Sequence, residues 1–143
     1  MFDYFYGAQA EQFSFYRVPK VLFTKDQFKY LSAEAKTLYG IMLDRLDLSI
    51  KNHWVDENGR VYIIYTIEQI MADMNCADQK ASKLLDELEK KYGLIERKRQ
   101  GLGKPNLIFV KNFITGVDNH VETRIKNSEY HDSRLPKITR KQY

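Results

Sequence analysis

Arg97, Lys98, Arg99 and Lys104 surround Gly101, Gly103 and Pro105, with no carboxylate among them. Cations this dense on a turn suit the phosphate oxygens of a nucleic acid, where each neutralised phosphate releases a counterion. The glycines and the proline shape a turn narrow enough to approach a duplex or enter its minor groove. Alternation along an extended strand puts Arg97 and Arg99 on one face and Lys98 on the other. A second set lies upstream, where Gln79, Lys80, Ser82 and Lys83 avoid an apolar stripe of Ala81, Leu84, Leu85 and Leu88. A lysine ammonium can donate to guanine acceptors, and a glutamine amide can pair bidentately with adenine. Asp86, Glu87 and Glu89 occupy the second half of the same run, so its first half is the one suited to face DNA. Plainer readings stand beside this one: a solvated lysine face, and a charged hairpin kept soluble by repulsion. Either suffices for Lys80 or Lys83 alone. The agreement of a helix pair, its charge order and a basic hairpin favours DNA contact.

Other chemistries are poorly supplied. His53, His120 and His131 are isolated, with no HxH or HExxH pair to hold a metal. The single cysteine, Cys76, excludes a disulfide framework and a Cys-rich zinc site, and suits a reducing cytoplasm. The string GLGK resembles a phosphate loop only superficially, because the first glycine of that motif would fall on Lys98 and its last position on Pro105. Without a metal cluster, the tyrosines read as core or interface. No catalytic residue, cofactor or metal ligand is expected. The opening MFDYFYGAQAEQ mixes acids and amides with its aromatics, so neither membrane insertion nor export is expected.

The elements that position these residues follow from periodicity. With 143 residues, 43% apolar and 29% charged content and a net charge of +4, the chain suits one folded domain with tails. Ala35, Leu38, Tyr39, Met42, Leu43 and Leu46 form one buried stripe of a helix from 32 to about 50. Glu57, Asn58 and Gly59 then stand between Trp54-Val55 and the β-rich run 61–65, which predicts a hairpin. Thr66 and Gln69 have the spacing of a capping box, opening a helix with Ile67, Ile70, Met71 and Met74 on one face. Asn75-Cys76-Ala77 interrupts it, and Asp78 is expected to cap the next helix, completing a helix-turn-helix. Gly93 suits a left-handed helix end, after which strands 94–99 and 106–113 flank the basic turn. Helix, hairpin, helix, turn, helix, hairpin is the order of a winged helix. The expected fold is therefore α+β, a winged helix-turn-helix with an aromatic N-terminal arm and an extra β-hairpin before the helix-turn-helix. The arm spans 1–19, the winged domain 20–114, and a linker or flexible tail 115–143, where charge is mixed and Pro136 intervenes.

The arm carries Phe2, Tyr4, Phe5, Tyr6, Phe13, Phe15 and Tyr16. A segment this sticky needs cover. Packing on its own domain, a dimer contact through Phe2, Tyr4, Phe5 and Tyr6, and base stacking are the three uses open to it, in that order.

The runs FYRVPKVLFT, LSAEAKTLYGIMLDRLDLS, NHWVDENGRVYIIYTIEQI, QKASKLLDELEKKYGLIERKRQGLGKPN and IFVKNF resemble the amino-terminal domain of the RepA_N-type plasmid replication initiators of Gram-positive bacteria. The likeness extends from about Phe15 to Phe113. It implies a RepA-like initiator that binds double-stranded DNA at repeated origin sites, or iterons, as a homodimer. It also implies a separate carboxy-terminal domain, related to primosomal replication proteins, that engages host replication proteins. The chain is then expected to be the binding part of a longer protein. On pattern alone, a winged-helix transcriptional repressor binding operator DNA as a dimer fits the same residues, as does a winged domain used for protein contacts.

Overall fold

The computed structural model describes residues 1–114, so the expected linker over 115–143 lies outside the described residues. A one-turn helix, α1 (Val21–Thr24), and a 3-10 turn (Asp26–Phe28) lead into the long helix α2 (Ala33–Lys51). There follow β1 (Ile63–Ile64), α3 (Ile67–Met74), α4 (Asp78–Asp86) with a π-helical extension (Glu87–Lys91), β2 (Ile95–Lys98) and β3 (Leu107–Val110). The strands form one antiparallel sheet in the order β1-β3-β2. Three helices backed by this small sheet, whose β2-β3 hairpin is the wing, make a winged helix.

The helix ends explain the helix positions. Ser32 is extended, and its Oγ accepts the Ala35 N–H at 3.1 Å, satisfying one of the free donors of α2. Glu87 completes that cap from 55 residues away, accepting the Ser32 N–H at 2.8 Å and its hydroxyl at 2.9 Å. Thr66 and Gln69 form the expected capping box, with bonds of 3.1 and 2.9 Å in the two directions. Asn75, at φ +53°, ends α3 in the left-handed region. The cap of α4 differs from expectation: Ala77 holds the N-cap position with no side-chain bond. Asp78 instead sits in the first turn, where its carboxylate faces the positive end of the helix dipole. Ala81, Leu84, Leu85 and Leu88 are all buried, as are Ala35, Leu38, Tyr39 and Met42 of α2. Beyond the π-helical turn, the Leu94 N–H reaches back to the Leu88 carbonyl at 2.7 Å, and Gly93 at φ +67° makes that reversal.

The expected hairpin of 54–65 is divided between two partners. Val55 bridges Val61, and the Tyr62 N–H donates to the Trp54 carbonyl at 3.2 Å. Ile63 and Ile64, however, pair with Ile108 and Leu107 of β3. Pairing there buries Ile63 and Ile108 together and covers the open edge of the wing sheet. Asp56 closes the hairpin turn, accepting from the Asn58 and Arg60 amides at 2.9 and 2.8 Å and from Arg60 Nε at 2.8 Å. From this hairpin, Tyr62 meets the Phe109 ring at 6.1 Å and the Arg60 guanidinium lies 4.9 Å from its centre. The extra hairpin thus covers the side of β3 opposite Ile108.

The wing strands are shorter than 94–99 and 106–113. Past β3 the chain turns to α2, where the Lys111 carbonyl accepts the Tyr39 hydroxyl at 2.8 Å. Phe113 packs at 5.3 Å from Phe28 and 5.7 Å from Tyr39. Burial pushes the ionisation of Tyr39 well above that of an ordinary tyrosine, so its hydroxyl stays a donor.

Over residues 1–16 the arm does not pack on the domain. Every residue from Met1 to Arg17 is exposed, Phe2 at 98% and Tyr4 at 83%. The rings meet one another instead, Phe13 standing edge-on to Phe5 at 6.1 Å and to Phe15 at 6.3 Å. Contact with the domain begins where Arg17 and Val18 cross α2 at Gly40. A Cβ on Gly40 would stand 2.8 Å from Val18 Cγ2 and 3.0 Å from the Arg17 carbonyl oxygen. This close approach accounts for a glycine in mid-helix despite its helix cost of about 1 kcal/mol. No helix among the described residues is long and apolar enough to cross a membrane.

Candidate nucleic-acid interface

The outward face of α4 presents Gln79, Ser82 and Lys83, all exposed. Lys80 is half-buried, and its Nζ lies 3.0 Å from Glu34 Oε1 in the first turn of α2. A surface pair of this kind contributes about 0–1 kcal/mol and is easily exchanged for another acceptor. Lys83, Lys98, Arg99 and Lys104 carry no ion pair among the described residues, and the last three are exposed on the wing. The wing loop is braced from within. Gln100 Nε2 donates to the Pro105 carbonyl at 2.8 Å, and the Lys104 N–H to the Gly101 carbonyl at 3.3 Å. Leu102 projects from its tip, fully exposed. Sequence reasoning passed over Leu102, although the Gly-Leu-Gly string marks it as the crest of the turn.

Arg97, expected among the wing contacts, is engaged within the fold. Its Nη2 bonds Asp86 Oδ1 at 2.6 Å and its Nε bonds Glu89 Oε1 at 2.5 Å, while its backbone N–H donates to Glu89 Oε2 at 3.1 Å. The side chain is only 21% exposed. Strand alternation is the cause: Arg97 lies opposite Ile108, on the helix side of the sheet, and Lys98 points to the other side. The acidic second half of the helical run therefore anchors the wing. Lys83 and Asp86 are neighbours on α4 by their i, i+3 spacing, Asp86 holds Arg97, and the strand bearing Arg97 continues into Lys98 and Arg99. This sequence of contacts ties the wing strand to the α4 run, and exposed cations stand on each of the two elements.

The carboxylates respond to that arrangement. The Arg97 hydrogen bond, aided by the charges of Lys90 and Arg97, holds Asp86 below the ordinary carboxylate range against a smaller opposing effect of burial. For Glu89, burial alone would raise the value, but the bonds and charge of Arg97 together outweigh it and the carboxyl is lowered.

A winged helix with unpaired cations on its second helix and on its wing defines a nucleic-acid-binding class of protein. The chain belongs to the replication initiator protein A (RepA) family, whose N-terminal model it matches over residues 14–123. A solved N-terminal domain of a DNA binding protein is 38% identical, with a TM-score of 0.66, over 90% of this chain and 96% of that one. A structure of a Rep-DNA complex is 39% identical, with a TM-score of 0.64, over 88% and 97%. A structure described as an MDR initiator is 35% identical, with a TM-score of 0.63, over 89% and 100%. A 41 kDa protein of Lactobacillus helveticus is 27% identical over 92 residues, which are 64% of this chain and 26% of that protein. The chain thus spans about a quarter of the length of that relative.

Replacing Arg97 by Met should cost about 2 kcal/mol in denaturant unfolding near pH 7, the scale of hydrogen bonds to charged groups that are partly screened. The sign of the pH dependence follows from the lowered carboxyls. Their stabilisation is present above an unfolded pKa of about 4 and is lost as pH falls through the lower folded values. Parent and Arg97→Met stabilities should therefore converge as pH drops below about 4. A difference that stays constant through that range would place the effect of Arg97 in packing alone.

Proposed function

We propose that this chain holds double-stranded DNA at repeated sites of a plasmid replication origin, acting in the cytoplasm. Helix α4 lies in the major groove with Gln79, Ser82 and Lys83 toward base edges, Lys80 joining them by exchanging Glu34 for DNA. Lys98, Arg99 and Lys104 of the wing meet phosphates or the adjoining minor groove. The observation that carries this reading is that α4 and the wing each bear exposed cations with no ion pair among the described residues, in a chain whose family is that of replication initiators. The likeness to a protein solved as a Rep-DNA complex supports it. Recruitment of host replication proteins is proposed for regions of the full-length relatives beyond the quarter spanned here.

Three phosphate contacts from the wing would together contribute a slope of about −2.7 in log K against log salt, at roughly −0.9 each on duplex DNA. Titrating a duplex of origin repeats at several salt concentrations measures it. The triple variant Lys98→Ala, Arg99→Ala and Lys104→Ala should flatten the slope by about that amount. A slope unchanged in the variant would take the wing off the DNA.

The chain is also proposed to pair with a second copy through the exposed rings of Phe2, Tyr4, Phe5 and Tyr6. Repeated sites suit a two-fold partner, and an uncovered cluster of aromatics has a large apolar area to bury. Deleting residues 1–12 should convert a dimer into a folded monomer in sedimentation equilibrium. A parent chain that is monomeric at high concentration would contradict this.

A further inference from the structure

The crest of the wing carries an apolar side chain where a turn would ordinarily carry a polar one. Leu102 is fully exposed, and the loop around it is exposed from Arg99 to Asn106. It is held in that position. Gly101 and Gly103 on either side adopt φ of +128° and +79°, conformations that side-chain-bearing residues rarely take. The Gln100–Pro105 and Lys104–Gly101 bonds brace the loop from both limbs, so the leucine does not fold back onto the sheet. A single exposed leucine on a protein surface needs no explanation. This one is flanked by Lys98 and Arg99 on one limb and by Lys104 on the other, none of them neutralised by a carboxylate among the described residues.

We propose that Leu102 is a wedge for the minor groove of the DNA bound by α4. It enters between the sugar walls and partly separates one base step. The inference rests on the DNA-binding reading and adds a site of shape recognition to it. The flanking cations supply the geometry, since limbs anchored on the phosphates bordering a minor groove direct the tip between them toward its floor. Apolar side chains inserted there kink the duplex, and the energy of doing so depends on the step being opened. Pyrimidine–purine steps unstack most easily, so the wing favours such a step beneath its tip without hydrogen-bonding either base.

The test places 2-aminopurine, in turn, at each step of a duplex carrying an origin repeat, and compares the parent chain with Leu102→Ala. Because Leu102 touches no core residue, the variant keeps the fold. The parent should raise the fluorescence at one step adjoining the recognition site. The variant should abolish that rise and bind about tenfold more weakly, the scale of one buried aliphatic side chain, with an unchanged salt slope. Equal fluorescence and equal affinity in parent and variant would overturn the wedge. So would a parent that binds tightly with no step unstacked. A parent that binds no duplex at all would overturn the DNA reading as well, and is distinguished because the failure precedes any change at Leu102.

Discussion

One guanidinium ties the wing strand to the helical run before it. Arg97 is gripped by Asp86 and Glu89 near the end of the α4 run, at 2.6 and 2.5 Å, and the wing strand that carries it is thereby fixed to the helix. Either element alone is a charged surface of ordinary kind. For the proposed DNA contact the tie matters, because groove and backbone contacts on a duplex must be made in register. The apolar core supplies the platform beneath, with Leu84, Leu85 and Leu88 buried in common with Leu38 and Met42. It does not by itself dictate where the tip of the hairpin points.

Charge along α4 consequently serves two purposes in succession. Its first half exposes Gln79, Ser82 and Lys83, while Asp86, Glu87 and Glu89 in the second half are all spent within the fold. Glu87 caps α2 through Ser32, and the other two hold the wing. Asp86, Glu87 and Glu89 are thus engaged within the fold, Asp78 stays exposed at the helix start, and Lys83 is left outside without an ion pair among the described residues. This division lets a chain of modest net charge, +4, present a cationic face.

Much of this was legible in the sequence because it depends on local periodicity. The stripes of α2 and α4, the Thr66–Gln69 capping box and the left-handed Gly93 follow from spacing within a few residues, and they stand in the structure, with Leu43 and Leu46 of the α2 stripe only partly buried. What escaped depends on pairings between distant residues. Ile63 and Ile64 have strand propensity, yet nothing near them indicates that their partner is β3, more than 40 residues downstream, in place of the adjacent hairpin limb. Arg97 looked like any other wing cation, since strand alternation groups it with Arg99 without saying which side faces the helix. The absence of a side-chain cap at Ala77 was hidden by a better capping residue beside it. The aromatic arm was misjudged for a physical reason also: its rings find partial cover in one another, at 6.1 and 6.3 Å, without reaching the domain.

The central claim is that α4 and the wing tip act as one surface on DNA, and amide chemical shifts of the labelled chain, titrated with a duplex of origin repeats, test it most directly. The account predicts perturbations that rise together at residues 79–83 and 98–104, saturating at the same DNA concentration, with the 55–61 hairpin largely unmoved. Perturbations confined to the arm or to that hairpin, or two regions saturating independently, would contradict it.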